Sequence, residues 1–181
     1  MATLQKYQSW ESKLSKRPRG PVEFNEPLPH NWEAEQCSLN ACLCDPEATD
    51  RTLEFIGPDD FFKRGSKALF KKLCAFRDLG MHYTPSSVVA SFKGNPEYDR
   101  MEDFVYSLAP FVLGDFSRHY AKMILETSVR RKMIELFEKG INQAFEVLPD
   151  SESILTDTIN DLADLRSRLQ KKQGAKNVDK R

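Results

Sequence analysis

Three of the four cysteines in the chain lie within eight positions, and thiols at such close spacing can bind a metal or exchange a disulfide. They are Cys37, Cys42 and Cys44, and Cys74 follows later. Structural zinc sites present Cys-x-x-Cys pairs on turns, whereas Cys42 and Cys44 fall in a helical pattern that points their thiols about 200° apart. The histidines are scattered along the chain. We therefore interpret the cysteines as one face of a helix that fills core space, and the sequence predicts no metal or cofactor.

Other catalytic patterns are absent from the sequence. The eight glycines form neither a phosphate-binding P-loop nor a G-x-G-x-x-G turn, and no G-x-S-x-G elbow occurs. Asp59 and Asp60 are typical of the acidic first turn of a helix rather than of a catalytic pair. Asp115 and His119 have a spacing that could pair them, but no nucleophile accompanies them. The sequence therefore predicts a protein that is not an enzyme.

Charge is unevenly distributed although the formal net charge is zero. Residues 1–20 carry a net charge of +4 and residues 166–181 a net charge of +6, which leaves −10 on residues 21–165. An acidic body argues against a folded surface that grips nucleic acid, so only weak, sequence-independent DNA contact through the basic tails is expected. The chain lacks a secretory signal and an apolar run of membrane-spanning length. The cytosol and no membrane contact are expected.

Helices account for almost the whole body, because apolar residues recur at three- and four-residue spacing and no alternating run is long enough for a strand. Pro, Asp, Asn and Thr mark the helix starts. The helices are predicted from the cap Asn31 to about Cys44, from Asp45 to Gly57, from Pro58, over 66–80, from the cap Thr84, over 101–110, from Phe116 to about Phe145, and from the cap Ser151 onward.

The last two predicted helices are long, amphipathic and joined by a short turn, which is typical of an antiparallel hairpin. The predicted fold class is all-α, a compact helical bundle followed by a long antiparallel helical hairpin. We expect a flexible basic arm over 1–28, the bundle over 29–112, the hairpin over 113–171 and a basic tail over 172–181.

One segment resembles a known family. A Pro-His run followed by Glu-Ala-Glu-Gln, at 29–36, resembles the opening of the amino-terminal domain of DnaB-type replicative helicases. Later matches keep the family's order: Asp45 after the first helix, Asp60-Phe61, a helix with a "lF..l..l.d.G" pattern, and the start of a long helix. These later matches are Leu69, Phe70, Leu73, Asp78, Gly80, Tyr120, Ala121, Ile124, Arg130 and Arg131.

The resemblance implies a replication protein, and the lack of a P-loop predicts that this chain has no motor activity of its own. In the family this domain forms a collar on the helicase ring and docks primase and loader proteins, and a RecA-like ATPase domain follows it. Here "SLNACL" lacks the family's glycine, the loop at 94–100 is short, and no motor sequence follows. A free-standing relative of the collar is one hypothesis. The alternatives are the excised amino-terminal part of a full helicase and a basic-tailed, nonspecific DNA-binding factor.

An amphipathic hairpin leaves an apolar strip that one chain does not fully cover, and such strips mark interfaces. We expect self-association, as a dimer or higher oligomer, and docking of the replicative helicase, primase or a helicase loader. The same residues could instead only hold the hairpin together. The candidate interface residues are Tyr120, Ile124, Ile134, Phe137 and Ile141 on the long helix, and Leu155, Ile159 and Leu162 on the helix after it.

Overall fold

A computed structural model describes residues 27–95, 99–108, 116–146 and 150–174. Within these ranges the chain is helical, with no strand. A single turn of 3-10 helix, Pro58–Asp60, interrupts the order. The α-helices are α1 Trp32–Cys44, α2 Pro46–Leu53, α3 Arg64–Asp78, α4 Pro85–Ala90, α5 Met101–Ser107, α6 Ser117–Ala144 and α7 Ser151–Gly174.

Side-chain caps start three of the short helices at the predicted residues. The carboxamide of Asn31 accepts the amide of Ala34 at 3.0 Å, which begins α1. The carboxylate of Asp45 accepts the amide of Glu47 at 3.0 Å and Pro46 takes the first position of α2, where its missing N–H costs nothing. Thr84 begins α4 by a reciprocal pair of hydrogen bonds with the residue three positions on.

Two predicted helix ends are wrong. Helix α2 ends at Leu53 rather than at Gly57, because the chain must leave the helix for Phe55 and Ile56 to enter the core, where they are 3% and 1% exposed. The cap of α7 is Asp150 rather than Ser151. The Asp150 carboxylate accepts the amide of Ser153 at 3.0 Å, and Ser151 is already helical.

The core lies among helices α1 to α5 and the first half of α6. Its largest fully buried side chains are aromatic and aliphatic, and Phe61 packs on Phe70 with ring centroids 4.9 Å apart. Helix α6 contributes Ala121, Ile124 and Val129 to the same cluster. Each buried Leu, Ile or Phe side chain stabilises the fold by roughly 1.5–3 kcal/mol relative to exposure. The cluster therefore holds the first half of α6 against the bundle.

Helices α6 and α7 pack against each other as an antiparallel hairpin. Lys139 pairs with Asp161 at 3.6 Å, and a methyl group at Gly140 would lie 3.9 Å from the Thr158 hydroxyl. The structure matches the predicted class, a helical bundle followed by a long helical hairpin. The proposed division of the chain at 28, 112 and 171 stays a prediction, and residues 1–26, Asp115 and 175–181 lie outside the described residues. In the described ranges no helix is both long and apolar enough to cross a bilayer.

Candidate interaction surface

The structure separates the eight candidate interface residues by exposure. Ile124 is fully buried in the bundle core, so its side chain stabilises the fold and does not reach a partner. Tyr120 is half-buried against that core, and a hydrogen bond with the Cys37 thiol raises the pKa of Tyr120. Ile134 and Leu162 are half-buried. The other four are open to solvent, with exposed fractions of 46% for Phe137, 38% for Ile141, 62% for Leu155 and 63% for Ile159.

The four exposed residues lie on one side of the hairpin. Gly140 and Thr158 face each other across the two helices. Phe137 and Ile141 are displaced from Gly140 in the same rotational sense by about 60° and 100°. Leu155 and Ile159 have the same offsets from Thr158 and, because the helices run in opposite directions, these offsets point both pairs to the same side. We call Phe137, Ile141, Leu155 and Ile159 the hairpin strip.

A charged groove lies beside the seam of the hairpin. It has a volume of about 340 Å³, and its floor includes Leu136 and Leu165. Charges of both signs line it, so that it has no net preference for anions or cations. The charged lining residues are Lys132, Glu135, Lys139, Asp161, Asp164 and Arg168.

At the bundle end of this groove, Asp60 joins the hairpin to the bundle. Its side chain is 3% exposed. The Ser128 hydroxyl donates to Oδ1 at 2.6 Å, the Gly57 amide donates to Oδ2 at 2.8 Å, and the Arg168 guanidinium lies 2.9 and 3.0 Å from the two oxygens. Lys132 lies 3.8 Å away. Burial alone would raise the pKa of Asp60, but the hydrogen bonds from Ser128, Gly57 and Arg168 outweigh it and lower the pKa.

A second buried charge, Arg131, ties the start of the described chain to the same place. Its guanidinium donates to the backbone carbonyls of Pro29, at 2.7 Å, and of Asp60. It also lies over the Phe62 ring, 5.5 Å from the centroid, and His30 stacks on that ring at 4.8 Å. Burial lowers the pKa of Arg131. The Pro-His pair thus serves to anchor the segment before α1.

Glu35 completes this arrangement from α1. Its side chain is buried, and Oε1 accepts the amide of Phe62 at 2.6 Å. Within the described part of the chain Oε2 has no hydrogen-bond partner. The charge of Arg131 lies close enough for Glu35 to act on its pKa, so the two buried charges offset each other.

Sequence reasoning missed these buried charges. The sequence predicts that Asp60 belongs to the acidic first turn of a helix. Asp60 does accept the Gly57 amide at the start of its turn, but its carboxylate is buried between the bundle and the hairpin. The family resemblance could have indicated these buried charges, because Glu35, Asp60 and Arg131 all belong to its matched residues although they are charged and cannot fill an apolar core.

The cysteines are only partly as predicted. Cys42 is fully buried, and burial raises its pKa to about 11. Cys37 and Cys74 are half-buried, while Cys44 is exposed, which contradicts a core role for all four. The residues at 42 and 44 point to different sides, as two positions along a helix must. Among the described residues no three His, Cys, Asp or Glu side chains form a metal-binding group.

The fold and these contacts define a small helical domain whose buried charges hold a hairpin to a bundle. The family model for the DnaB-like helicase N terminal domain matches residues 27–126. The chain therefore belongs to the DnaB-like helicase N-terminal domain family.

Similar proteins agree with this assignment. The chain is 24% identical over 123 residues to the replicative DNA helicase DnaB of Rickettsia conorii, covering 65% of this chain and 24% of that protein. It is also 24% identical over 129 residues to DnaB of Rhodothermus marinus, covering 70% of this chain and 14% of that protein. The chain thus spans a quarter or less of these relatives.

The fold is also similar to a solved structure. The crystal structure of the N-terminal domain of DnaB helicase from Mycobacterium tuberculosis matches with a TM-score of 0.67 at 17% identity. The match covers 76% of this chain and 99% of that one.

Proposed function

We propose that this chain is a protein-docking module of the DNA replication machinery that works in the cytoplasm and associates with itself through the hairpin strip. The observation that carries the proposal is the exposure of Phe137, Ile141, Leu155 and Ile159 on one side of the hairpin. Large apolar side chains grouped on a surface favour association, since each Å² of apolar area removed from water contributes roughly 25 cal/mol.

The proposed partners beyond a second copy are the replicative helicase, its primase and its loader. Family membership supports this choice, because the relatives are replicative helicases. The half-buried residues Ile134 and Leu162 lie beside the hairpin strip on the same helices and would contribute at the edge of such an interface. Tyr120 lies about 25 Å further back along α6 and would support the interface from the bundle core. Ile124 would support it only from inside the bundle.

Self-association is tested by light scattering after size exclusion on the purified full chain. We expect a dimer or higher oligomer for the native sequence and a monomer for Phe137→Glu combined with Leu155→Glu, because two buried carboxylates would oppose the contact. The control is Leu79→Glu, which places the same charge on an apolar residue that is 72% exposed in the bundle.

Two outcomes would overturn the proposal. One is a native chain that is monomeric at high concentration and captures neither helicase, primase nor loader of its own source in a pull-down. The other is an oligomer that survives the double substitution while circular dichroism shows the helices intact.

A second candidate is that the chain is the amino-terminal part of a longer replicative helicase. The specific observation in its favour is that the relatives extend far beyond the matched region. The reading frame downstream of Arg181 distinguishes the two, because this candidate requires a P-loop sequence there.

A further inference from the structure

The acidic body contains a strongly basic region around α3. From 62 to 95, which covers α3, α4 and the loop after it, the chain carries seven lysine and arginine residues and a single carboxylate, Asp78. Arg77, at the end of α3, is occupied by Asp50 and Asp78 at 2.6 and 3.0 Å. The positive charge that remains is concentrated on the first part of α3. The net charge of the whole body conceals this local excess of lysine and arginine.

Three lysines form a row along α3. Lys63, Lys67 and Lys71 recur every four residues, which places them on one side of the helix at intervals of about 6 Å. In the part of the chain that the structure describes, neither Lys67 nor Lys71 makes an ion pair. Lys63 extends its ammonium over the Trp32 ring, 3.5 Å from the centroid. We call these three residues the lysine row.

The lysine row is unfavourable for α3, because like charges four residues apart repel each other and because the row begins at the amino-terminal end of the helix. Helix α3 has no acidic residue in its first turn, and Lys63 and Arg64 lie at its amino-terminal end. A positive charge there opposes the helix dipole by typically 0.3–1 kcal/mol. Natural sequences break such local rules mainly where function requires it. Cations retained against helix stability point to an anionic partner.

We propose that the lysine row binds the sugar–phosphate backbone of a nucleic acid strand without reading its sequence. Lysine ammonium groups at regular intervals suit a polymer of phosphates, which needs only charge. A protein segment would also need apolar anchors, and from Lys63 to Lys71 the only large apolar side chains, Leu69 and Phe70, are fully buried. This surface is separate from the hairpin strip, so the inference stands independently of self-association.

The test measures fluorescence anisotropy of a labelled twenty-nucleotide oligo-dT mixed with the full chain, repeated from 50 mM to 300 mM salt. We expect Lys67→Glu combined with Lys71→Glu to weaken binding at least about tenfold at low salt and to reduce the slope of log K against log salt by roughly 1–2. If this variant loses helicity, Lys67→Gln combined with Lys71→Gln removes the charges more gently and should reduce the slope in the same direction.

The matched control is Arg130→Glu combined with Lys139→Glu, which changes the net charge equally on α6. Both residues are already in ion pairs, with Glu126 at 2.9 Å and Asp161 at 3.6 Å, and should leave the slope unchanged. Equal loss in the control, or binding unaffected by the α3 substitutions, would overturn the proposal and assign any binding to the basic tails. Tighter binding of a labelled polyglutamate peptide than of the oligonucleotide would also overturn it, in favour of an acidic protein.

Discussion

At the residue scale, the buried carboxylate of Asp60 links the hairpin to the bundle. A carboxylate taken out of water is destabilising unless donors surround it. Ser128, Gly57 and Arg168 supply those donors from three different parts of the chain. Asp60 therefore fixes the position of the hairpin relative to the bundle through contacts to both.

Replacing Asp60 by Asn should lower the free energy of unfolding by about 2–3 kcal/mol, because charged hydrogen bonds are lost and Arg168 is left without its partner. Urea denaturation at pH 7 measures the difference. The control is Asp59→Asn at the exposed neighbouring carboxylate, which should change stability by no more than about 0.5 kcal/mol. Equal effects at the two positions would contradict the role given to Asp60.

The same pair predicts a pH dependence. The pKa of Asp60 is lowered below its ordinary value of 3.8 in the folded chain, so its stabilising effect is fully present above that value. The effect should disappear as pH falls through the lower, folded pKa. The stability gap between the native chain and Asp60→Asn should thus be constant from pH 7 to 5 and should close below about pH 3.8. A gap that closed near neutral pH would point to a different group.

The thiols should react in the order of their exposure. Cys44 is exposed and Cys42 fully buried with its pKa raised to about 11, and thiolate is the reactive form. Iodoacetamide at pH 8 should label Cys44 first and Cys42 only after unfolding in urea, as mass spectrometry of the peptides would show. Labelling of Cys42 at the rate of Cys44 in the folded chain would contradict the packing of α1.

Single residues were the hardest to predict from sequence. Spacing along the sequence predicts that Leu69 and Phe70 lie in the core, because large apolar side chains on one side of a helix are favoured there over solvent. A buried Asp60 or Arg131 depends on donors from distant parts of the chain, which spacing does not reveal. A net charge summed over the acidic body hides the lysine row for the same reason. Only the structure shows that Asp50 and Asp78 pair with Arg77 and not with the lysines of the row.

At the scale of elements, prediction succeeded where a local rule determines the outcome. The caps Asn31, Asp45 and Thr84 begin their helices as expected, because each satisfies backbone amides within three residues of itself. The end of α2 depends instead on Phe55 and Ile56 reaching the core, and a tertiary requirement of this kind overrides the local pattern.

Two glycines make opposite predictions about helices. Gly140 lies inside α6, and an added methyl group would make only ordinary contact with Thr158, so Gly140→Ala should stabilise the chain by roughly 0.5–1 kcal/mol. Gly80 follows α3 at a φ of +63° and its amide bonds the Arg77 carbonyl at 2.9 Å, so Gly80→Ala should destabilise by about 1 kcal/mol despite open space around it. Thermal melting of both variants measures the sign, and a stabilised Gly80→Ala would contradict the assigned turn.

At the scale of the whole molecule, two proposed surfaces rely on different forces. The hairpin strip is apolar, and salt does not weaken apolar contacts. The lysine row is electrostatic, and salt screens it, with a Debye length of about 10 Å at 0.1 M and about 3 Å at 1 M.

Raising salt from 0.1 M to 1 M should therefore abolish oligonucleotide binding and leave the oligomer intact. Sedimentation velocity with and without labelled oligonucleotide measures both quantities in one sample. Dissociation of the oligomer by salt would show that opposite charges, rather than the hairpin strip, hold the copies together.

Helix α6 has one further consequence for the molecule. It is 28 residues long, which is about 42 Å. Its buried residues run from Ser117 only as far as Leu136, so one end is embedded while the other reaches the hairpin turn. A rod clamped over half its length acts as a lever: a pull on its free end by a bound neighbour would reach the middle of α6 as a torque on Arg131 and Asp60, whose hydrogen bonds resist rotation there.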